Sequence, residues 1–272
     1  YMILGGTPFY LSLLRPELSL YQNIDDLFFG MNATLNAEYN FLFTSLFNDA
    51  TLYRRVVETL ASKLKGMTRE ELIQTLKLTD NGLMTEVLEN LKKCDFLRCY
   101  QPFGKKGKGM IFQLSDMYTL FYLRFVKNYH GLNEEAWSKM EESRRNAWAG
   151  YAFEQVCIHH IKQIKQALGI SGIASDVCSW NYKDEQQGAQ IDLIIDRSDK
   201  SIDLCEIKYS EKAYELKKDY VEWMRERREL FKEKTGTRKS VRLTMITSSG
   251  IKPGKYSSAI QGKVTLDDLF HE

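Results

Sequence analysis

Long apolar runs are missing from these 272 residues: the most hydrophobic stretch, Met117 to Val126, is short and broken by Arg124. A membrane-spanning helix needs about 20 consecutive apolar residues, so a membrane protein of the helical kind is excluded. No signal-peptide pattern heads the chain. Cysteine is scarce as well. Cys94, Cys99, Cys157, Cys178 and Cys205 are odd in number and lack the close paired spacing of a zinc site, which predicts reduced thiols in a cytoplasmic protein. There is no strong excess of either charge, at +2 net, so bulk charge alone calls for no nucleic-acid partner. There is also no Gly-x-x-x-x-Gly-Lys-Ser/Thr loop to cradle phosphates, so ATP binding of the usual kind is not expected of these residues by themselves. The first residue is Tyr1 rather than methionine, and Gly5-Gly6-Thr7-Pro8 follows at once, which suggests a fragment of a longer protein.

What is present is a globular composition, 43% hydrophobic and 27% charged, which argues against disorder. The length favours two domains, or one domain with a helical attachment. Charge is unevenly spread: Tyr53 to Ser115 carries 12 Lys or Arg against 7 Asp or Glu, and a basic section in a neutral chain is a candidate phosphate-facing surface.

Periodicity divides the chain into three sections. Residues 1–52 are helical in pattern, with Leu35, Tyr39, Leu42, Phe43, Leu46 and Phe47 at helical spacing, and read as a lid or linker. Residues 53–128 read as three short helices, a hairpin and an aromatic connector. Tyr53 to Lys65 is amphipathic, Thr68-Arg69-Glu70-Glu71 is a capping box that starts the second helix, and Leu83 to Lys93 is the third. Two strand-like runs, Phe96 to Gln101 and Met110 to Leu114, flank a glycine-rich turn carrying Lys105, Lys106 and Lys108. Three helices followed by a basic-tipped hairpin form a winged-helix pattern, in which Leu83 to Lys93 would enter a major groove. Arg98 and the three lysines are the candidate DNA-binding residues. The competing reading is a winged helix that packs on a neighbour and touches no base. Leu114 to Asn128, with Tyr118, Phe121, Tyr122 and Phe125, reads as a buried connector helix.

Residues 129–272 change to helix, three strands, helix, strand, an α/β mixture with a sheet flanked by helices. The predicted elements are a helix over Trp148 to Ala167, strands over 173–182, 190–196 and 202–209, a helix over Lys212 to Lys234 burying Leu216, Tyr220, Trp223, Leu230 and Phe231, and a strand over 241–247. Asp192 interrupts the apolar run Ile191 to Ile195, and a buried charge needs a partner. In Leu204-Cys205-Glu206-Ile207-Lys208 the strand period of two puts Glu206 and Lys208 on one face. In-register pairing of the two strands would bring Asp192 to them. Carboxylate oxygens are the hard ligands that Mg²⁺ or Mn²⁺ prefers, and such an ion lowers the pKa of bound water while holding a phosphate. Lys208 can orient the attacking water or stabilise charge on the phosphate. Glu154, on the preceding helix, is placed to reach a metal-bound water or a second metal. Gln190 shares the face of Asp192. His159 and His160 adjoin on a helix, and a packed or solvated role is favoured for them over metal binding.

Glu154, Asp192 and Glu206-x-Lys208 in this order resemble the PD-(D/E)XK restriction-endonuclease-like superfamily, with Ile191 in place of the usual proline. Gly5-Gly6-Thr7-Pro8-Phe9-Tyr10-Leu11, a winged helix, the aromatic helix, and Trp148, Gly150, Phe153 and Glu154 together resemble the C-terminal part of archaeal and bacterial AAA+ (STAND-like) ATPases. The resemblance implies a nuclease-like domain with Asp192, Glu206 and Glu154 as metal ligands and Lys208 as a catalytic residue. It also implies DNA as partner, and an N-terminal AAA+ domain of the same protein that binds ATP and controls access. Three functions stay open: Mg²⁺-dependent hydrolysis of DNA phosphodiester bonds, an inactive nuclease fold that recognises DNA or a partner for the ATPase, or a sensor or lid of the ATPase whose nuclease resemblance is historical.

Overall fold

A computed structural model describes residues 1–105, 109–131, 134–185 and 188–270. The chain divides into two compact units, Tyr1–Cys99 with Met110–Trp148, and Tyr100–Gly109 with Ala149–Glu272. The fold is mixed α/β.

The first unit holds α1 (Pro8–Ser12), α2 (Leu20–Phe28), α3 (Thr34–Leu46), α4 (Ala50–Ala61), β1 (Met67–Thr68), α5 (Arg69–Leu76) and α6 (Gly82–Lys93). The start of β2 (Leu97–Pro102), then β3 (Ile111–Leu114) and α7 (Met117–Phe121) complete it. Its helices start where side chains satisfy the orphan amides of the first turn: Asp49, Asn81 and Asp116 each cap one, and Ser19 with Gln22 forms a capping box. The box expected at Thr68 is present, Thr68 Oγ1 accepting from the Glu71 amide at 3.1 Å and Glu71 Oε2 from the Thr68 amide at 2.9 Å. α3 buries Leu35, Tyr39 and Phe43 while Leu46 faces outward, so its apolar stripe is narrower than the sequence suggests. Leu114 to Asn128 is not a uniform helix. α7 passes at Tyr122–Val126 into a π-helical turn, and Phe121 and Phe125 meet Trp137 and Trp148 edge-on with ring centroids 5.0–5.5 Å apart, an arrangement aromatic rings prefer.

The second unit contains most of α8 (Glu142–His159), then α9 (Ile161–Ala167), β4 (Ser175–Lys183), β5 (Gly188–Arg197), β6 (Ser201–Lys208), α10 (Lys218–Thr235), β7 (Ser240–Thr247) and β8 (Gly262–Thr265). The helix expected over Trp148 to Ala167 breaks at His160, whose Nδ1 lies 2.7 Å from the Val156 carbonyl. The end of β2 runs parallel to β4; β4, β5 and β6 are antiparallel in turn; β6, β7 and β8 are parallel. β8 was not legible in the sequence. α10 lays Val221, Met224 and Phe231 against Trp180, Ile194, Leu204, Leu243 and Met245. Full burial of such side chains contributes about 1.5–3 kcal/mol each. Trp223, expected inside, is 39% exposed. α8 covers the other face: the Phe153 and Tyr209 rings meet, and burial together with Asp203 and the Cys157 thiol pushes the Cys205 thiol well above its usual value.

All five thiols are free. Burial also raises Cys178, to about 12, so this thiol stays protonated and unreactive at neutral pH. Among the described residues no helix is long and apolar enough to cross a membrane.

Candidate active site

β6 is the central strand of the site. Its odd residues Cys205 and Ile207 are buried, Cys205 towards α8, and strand alternation sends Glu206 and Lys208 to the face that carries α10. There Lys208 Nζ stands 3.1 Å from Glu206 Oε1, so the expected meeting of these two residues is realised. Two residues that sequence reasoning left out of the site join them. The Tyr220 hydroxyl donates to Glu206 Oε1 at 2.8 Å, and Arg227 Nη1 donates to Oε2 at 3.1 Å. Burial, reinforced by the Glu206 carboxylate, pushes the Tyr220 phenol far above its ordinary range, which keeps it a hydrogen-bond donor. Glu206 and Arg227 are each only 17% exposed, Lys208 36%.

One sequence signal could have found this pair. Tyr220, Trp223 and Arg227 recur at i, i+3 and i+7, one stripe of a helix. Tyr220 and Trp223 stack at 5.2 Å, and the Arg227 guanidinium lies 4.2 Å from the centre of the Trp223 ring. Reading Trp223 as core concealed the stripe.

Asp192 behaves differently. β5 pairs with β6 from Asp196↔Ile202 to Leu193↔Cys205 and no further. Beyond that point β5 follows β4 alone and β6 follows β7 alone, so the two strands part like a fork, with Asp192 on one tine and Glu206 on the other. Between Cys178↔Ile194 and Trp180↔Ile191, β5 spends three steps to two of β4. This is a β-bulge at Asp192 and Leu193, and a bulge re-aims side chains. Ile191 consequently joins Leu204, Met224 and Leu243 in the core on the α10 face. The Asp192 carboxylate accepts a hydrogen bond from Gln190, which does share its face as expected. Convergence of Asp192 with Glu206 and Lys208 is expected from in-register pairing of β5 with β6; that pairing keeps its register but ends at Leu193↔Cys205, one residue short of Asp192, and the bulge lies on the β4 side of β5. Glu154 lies half-buried on α8, where its charge, after burial, helps push up the Cys157 thiol. It thus belongs to the face opposite Glu206.

The donors suit a hard divalent cation in kind, because Mg²⁺ typically takes one or two protein carboxylates and keeps several waters. Asp192 and Glu206 border the fork that such an ion would enter. Among the described residues, though, no three His, Cys, Asp or Glu side chains form a group ready to enclose an ion. The crevice lined by Ile191, Leu204, Glu206, Met224 and Arg227 measures about 20 Å³, room for roughly one water.

Of the DNA-binding candidates in the basic section, Arg98 is half-buried and donates to Gln113 Oε1 at 2.5 Å, and Lys105 is exposed. Lys106 and Lys108 lie outside the described residues. The outward positions of α6 are Leu83, Thr85, Glu86, Glu89, Lys92 and Lys93, a face with equal numbers of acids and bases.

A family model, DUF234, described as archaeal and bacterial proteins of unknown function, matches residues 122–221. An uncharacterised protein of Methanocaldococcus jannaschii is 24% identical over 226 residues, covering 81% of this chain and 49% of that protein. The chain therefore spans about half the length of this curated relative. No solved structure matches it.

Proposed function

We propose that the C-terminal unit is a PD-(D/E)XK-type nuclease domain that hydrolyses DNA phosphodiester bonds with Mg²⁺ or Mn²⁺. On this reading it is joined through a winged helix to an ATP-binding portion of the same protein that governs access. The observation that carries the reading is the strand fork, with Asp192 on β5 and Glu206 beside Lys208 on β6. The order helix, three antiparallel strands, helix, parallel strand supports the same fold. The order α4, β1, α5, α6, β2, β3 supports the winged helix.

When bound, the ion supplies a low-pKa water and a grip on the scissile phosphate. Asp192 and Glu206 are the side chains to hold it. The rest falls to the chain. Lys208, next to Glu206, presents a positive charge to the phosphate oxygens as negative charge develops on them, and preorganised charge of this kind is typically the largest contribution to rate. Tyr220, protonated at working pH, fixes Glu206 through Oε1. Gln190 fixes the Asp192 carboxylate from the same face. For duplex binding, the exposed Lys105 and its neighbouring lysines supply the cations that meet phosphates. The mixed charge on α6 favours backbone grip by the wing over base reading by the helix.

Cleavage of plasmid, linear, nicked and single-stranded DNA by the unsubstituted protein and by Lys208→Ala tests the reading. Loss of at least a hundredfold in rate, a magnitude typical of removing one such charged donor, is expected. Equal activity in both proteins would remove Lys208 from the mechanism.

A second reading has its own observation. Glu206 is held by two cations and a phenol, which is what a fold that had exchanged catalysis for DNA or partner recognition would retain. Mn²⁺ binding that depends on Asp192 and Glu206 excludes that alternative; its absence favours it.

A further inference from the structure

Both oxygens of Glu206 are occupied: Oε1 by Tyr220 and Lys208, Oε2 by Arg227. Glu206, Lys208 and Arg227 together carry a net positive charge, so a divalent cation approaching Glu206 meets repulsion as well as two oxygens that already have partners. Arg227 is the partner that can be exchanged. Lys208 follows Glu206 on the same strand, and Tyr220 is neutral. Arg227, by contrast, reaches in from α10 with its guanidinium lying on the ring of Trp223, a residue 39% exposed. A guanidinium pairs with carboxylate and phosphate through the same fork of donors, and the aromatic face beneath it gives it a resting place outside the carboxylate.

We propose that Arg227 is a displaceable counter-ion, a positioning residue that occupies Glu206 in the metal-free protein and must release it before a divalent cation is bound. The inference rests on the metal-dependent reading of the same site. It predicts that this chain alone binds metal weakly because it holds its own cation in the place the metal needs. Whatever draws Arg227 away, a DNA phosphate above all, strengthens metal binding through the shared carboxylate, as linkage requires.

The test is Mn²⁺ titration by calorimetry on the full 272-residue chain and on Arg227→Met, Arg227→Lys and Glu206→Gln, with thermal melts to establish that each is folded. Arg227→Met is expected to bind Mn²⁺ at least tenfold more tightly, Arg227→Lys within about twofold of the unsubstituted chain, and Glu206→Gln not at all. Binding by Arg227→Met where the unsubstituted chain shows none supports the proposal equally. Glu206-dependent binding that Arg227→Met leaves unchanged or weakens overturns the counter-ion and spares the metal-dependent reading. Tightening by Arg227→Lys equal to that by Arg227→Met also overturns it, since charge would then not be the competitor. No binding by either the unsubstituted chain or Arg227→Met overturns both. Should Arg227→Met not fold, side-chain NMR of the unsubstituted chain decides: the Arg227 guanidinium signals should move as Mg²⁺ saturates Glu206, and signals that stay fixed during saturation overturn the proposal.

Discussion

Replacing Arg197 by methionine should destabilise the C-terminal unit by about 3–5 kcal/mol, the usual cost of stripping one partner from a buried ion pair. Arg197 and Asp203 have side chains only 7% and 2% exposed, and Arg197 Nη1 reaches Asp203 Oδ2 at 3.1 Å. Without the guanidinium, Asp203 keeps Thr244 Oγ1 at 3.3 Å and the half-exposed Arg242 Nε at 3.5 Å, distances too long to hold a desolvated charge. Removing both charges is a different perturbation. Arg197→Met with Asp203→Leu leaves no buried carboxylate orphaned, since Asp199, the other partner of Arg197, has a side chain 36% exposed, and apolar replacement of a buried pair is commonly neutral or stabilising by up to about 4 kcal/mol. Urea unfolding followed by tryptophan fluorescence reads the difference. With a slope of about 2 kcal/mol per M, the single variant should lose roughly 1.5–2.5 M in midpoint and the double variant should recover most of it. If the double variant is as unstable as the single one, the loss comes from packing by the arginine stem, and the charge argument is refuted.

The capping box offers a milder test: Thr68→Ala should cost the N-terminal unit about 1 kcal/mol in the same unfolding assay. Glu71 is held below its ordinary value first by the Thr68 amide and then by Lys63. Its contribution is therefore present above the unfolded carboxylate range and is lost as pH falls through the lower folded value. Glu71→Gln should accordingly differ from the unsubstituted chain at neutral pH and converge with it in acid. In the wing, replacing Lys105, Lys106 and Lys108 together should weaken duplex binding and flatten its salt dependence by about 0.9 in log–log slope for each phosphate no longer neutralised. An unchanged slope would separate the wing from DNA.

Much of this fold is written in local chemistry and is legible for that reason. The Thr68 box, the aromatic stripe of α3 and the apolar strands β4 to β7 each follow from spacing a few residues long. The fork and its consequences are not local. Whether Asp192 faces Glu206 depends on where β5 stops pairing with β6 and on one surplus residue relative to β4, neither of which leaves a trace in composition. Tyr220 and Arg227 were missed for a related reason. Their partner is Glu206, on another element, and the large ring between them, Trp223, is a residue type that is usually buried. The break at His160 and the π-helical turn at Tyr122–Val126 are likewise not marked by helix periodicity.

The bulge in β5 also acts as a change of phase within a single strand. Before it, Ala189 and Ile191 look towards α10; after it, Ile194 does. Odd numbers mean one side upstream and the other side downstream. Any substitution scheme that carries one parity through Gly188–Arg197 will therefore mix residues of the two faces. Deleting one residue at Asp192 or Leu193 would bring the two halves back into step, and in doing so would turn Gln190 inward and Ile191 outward.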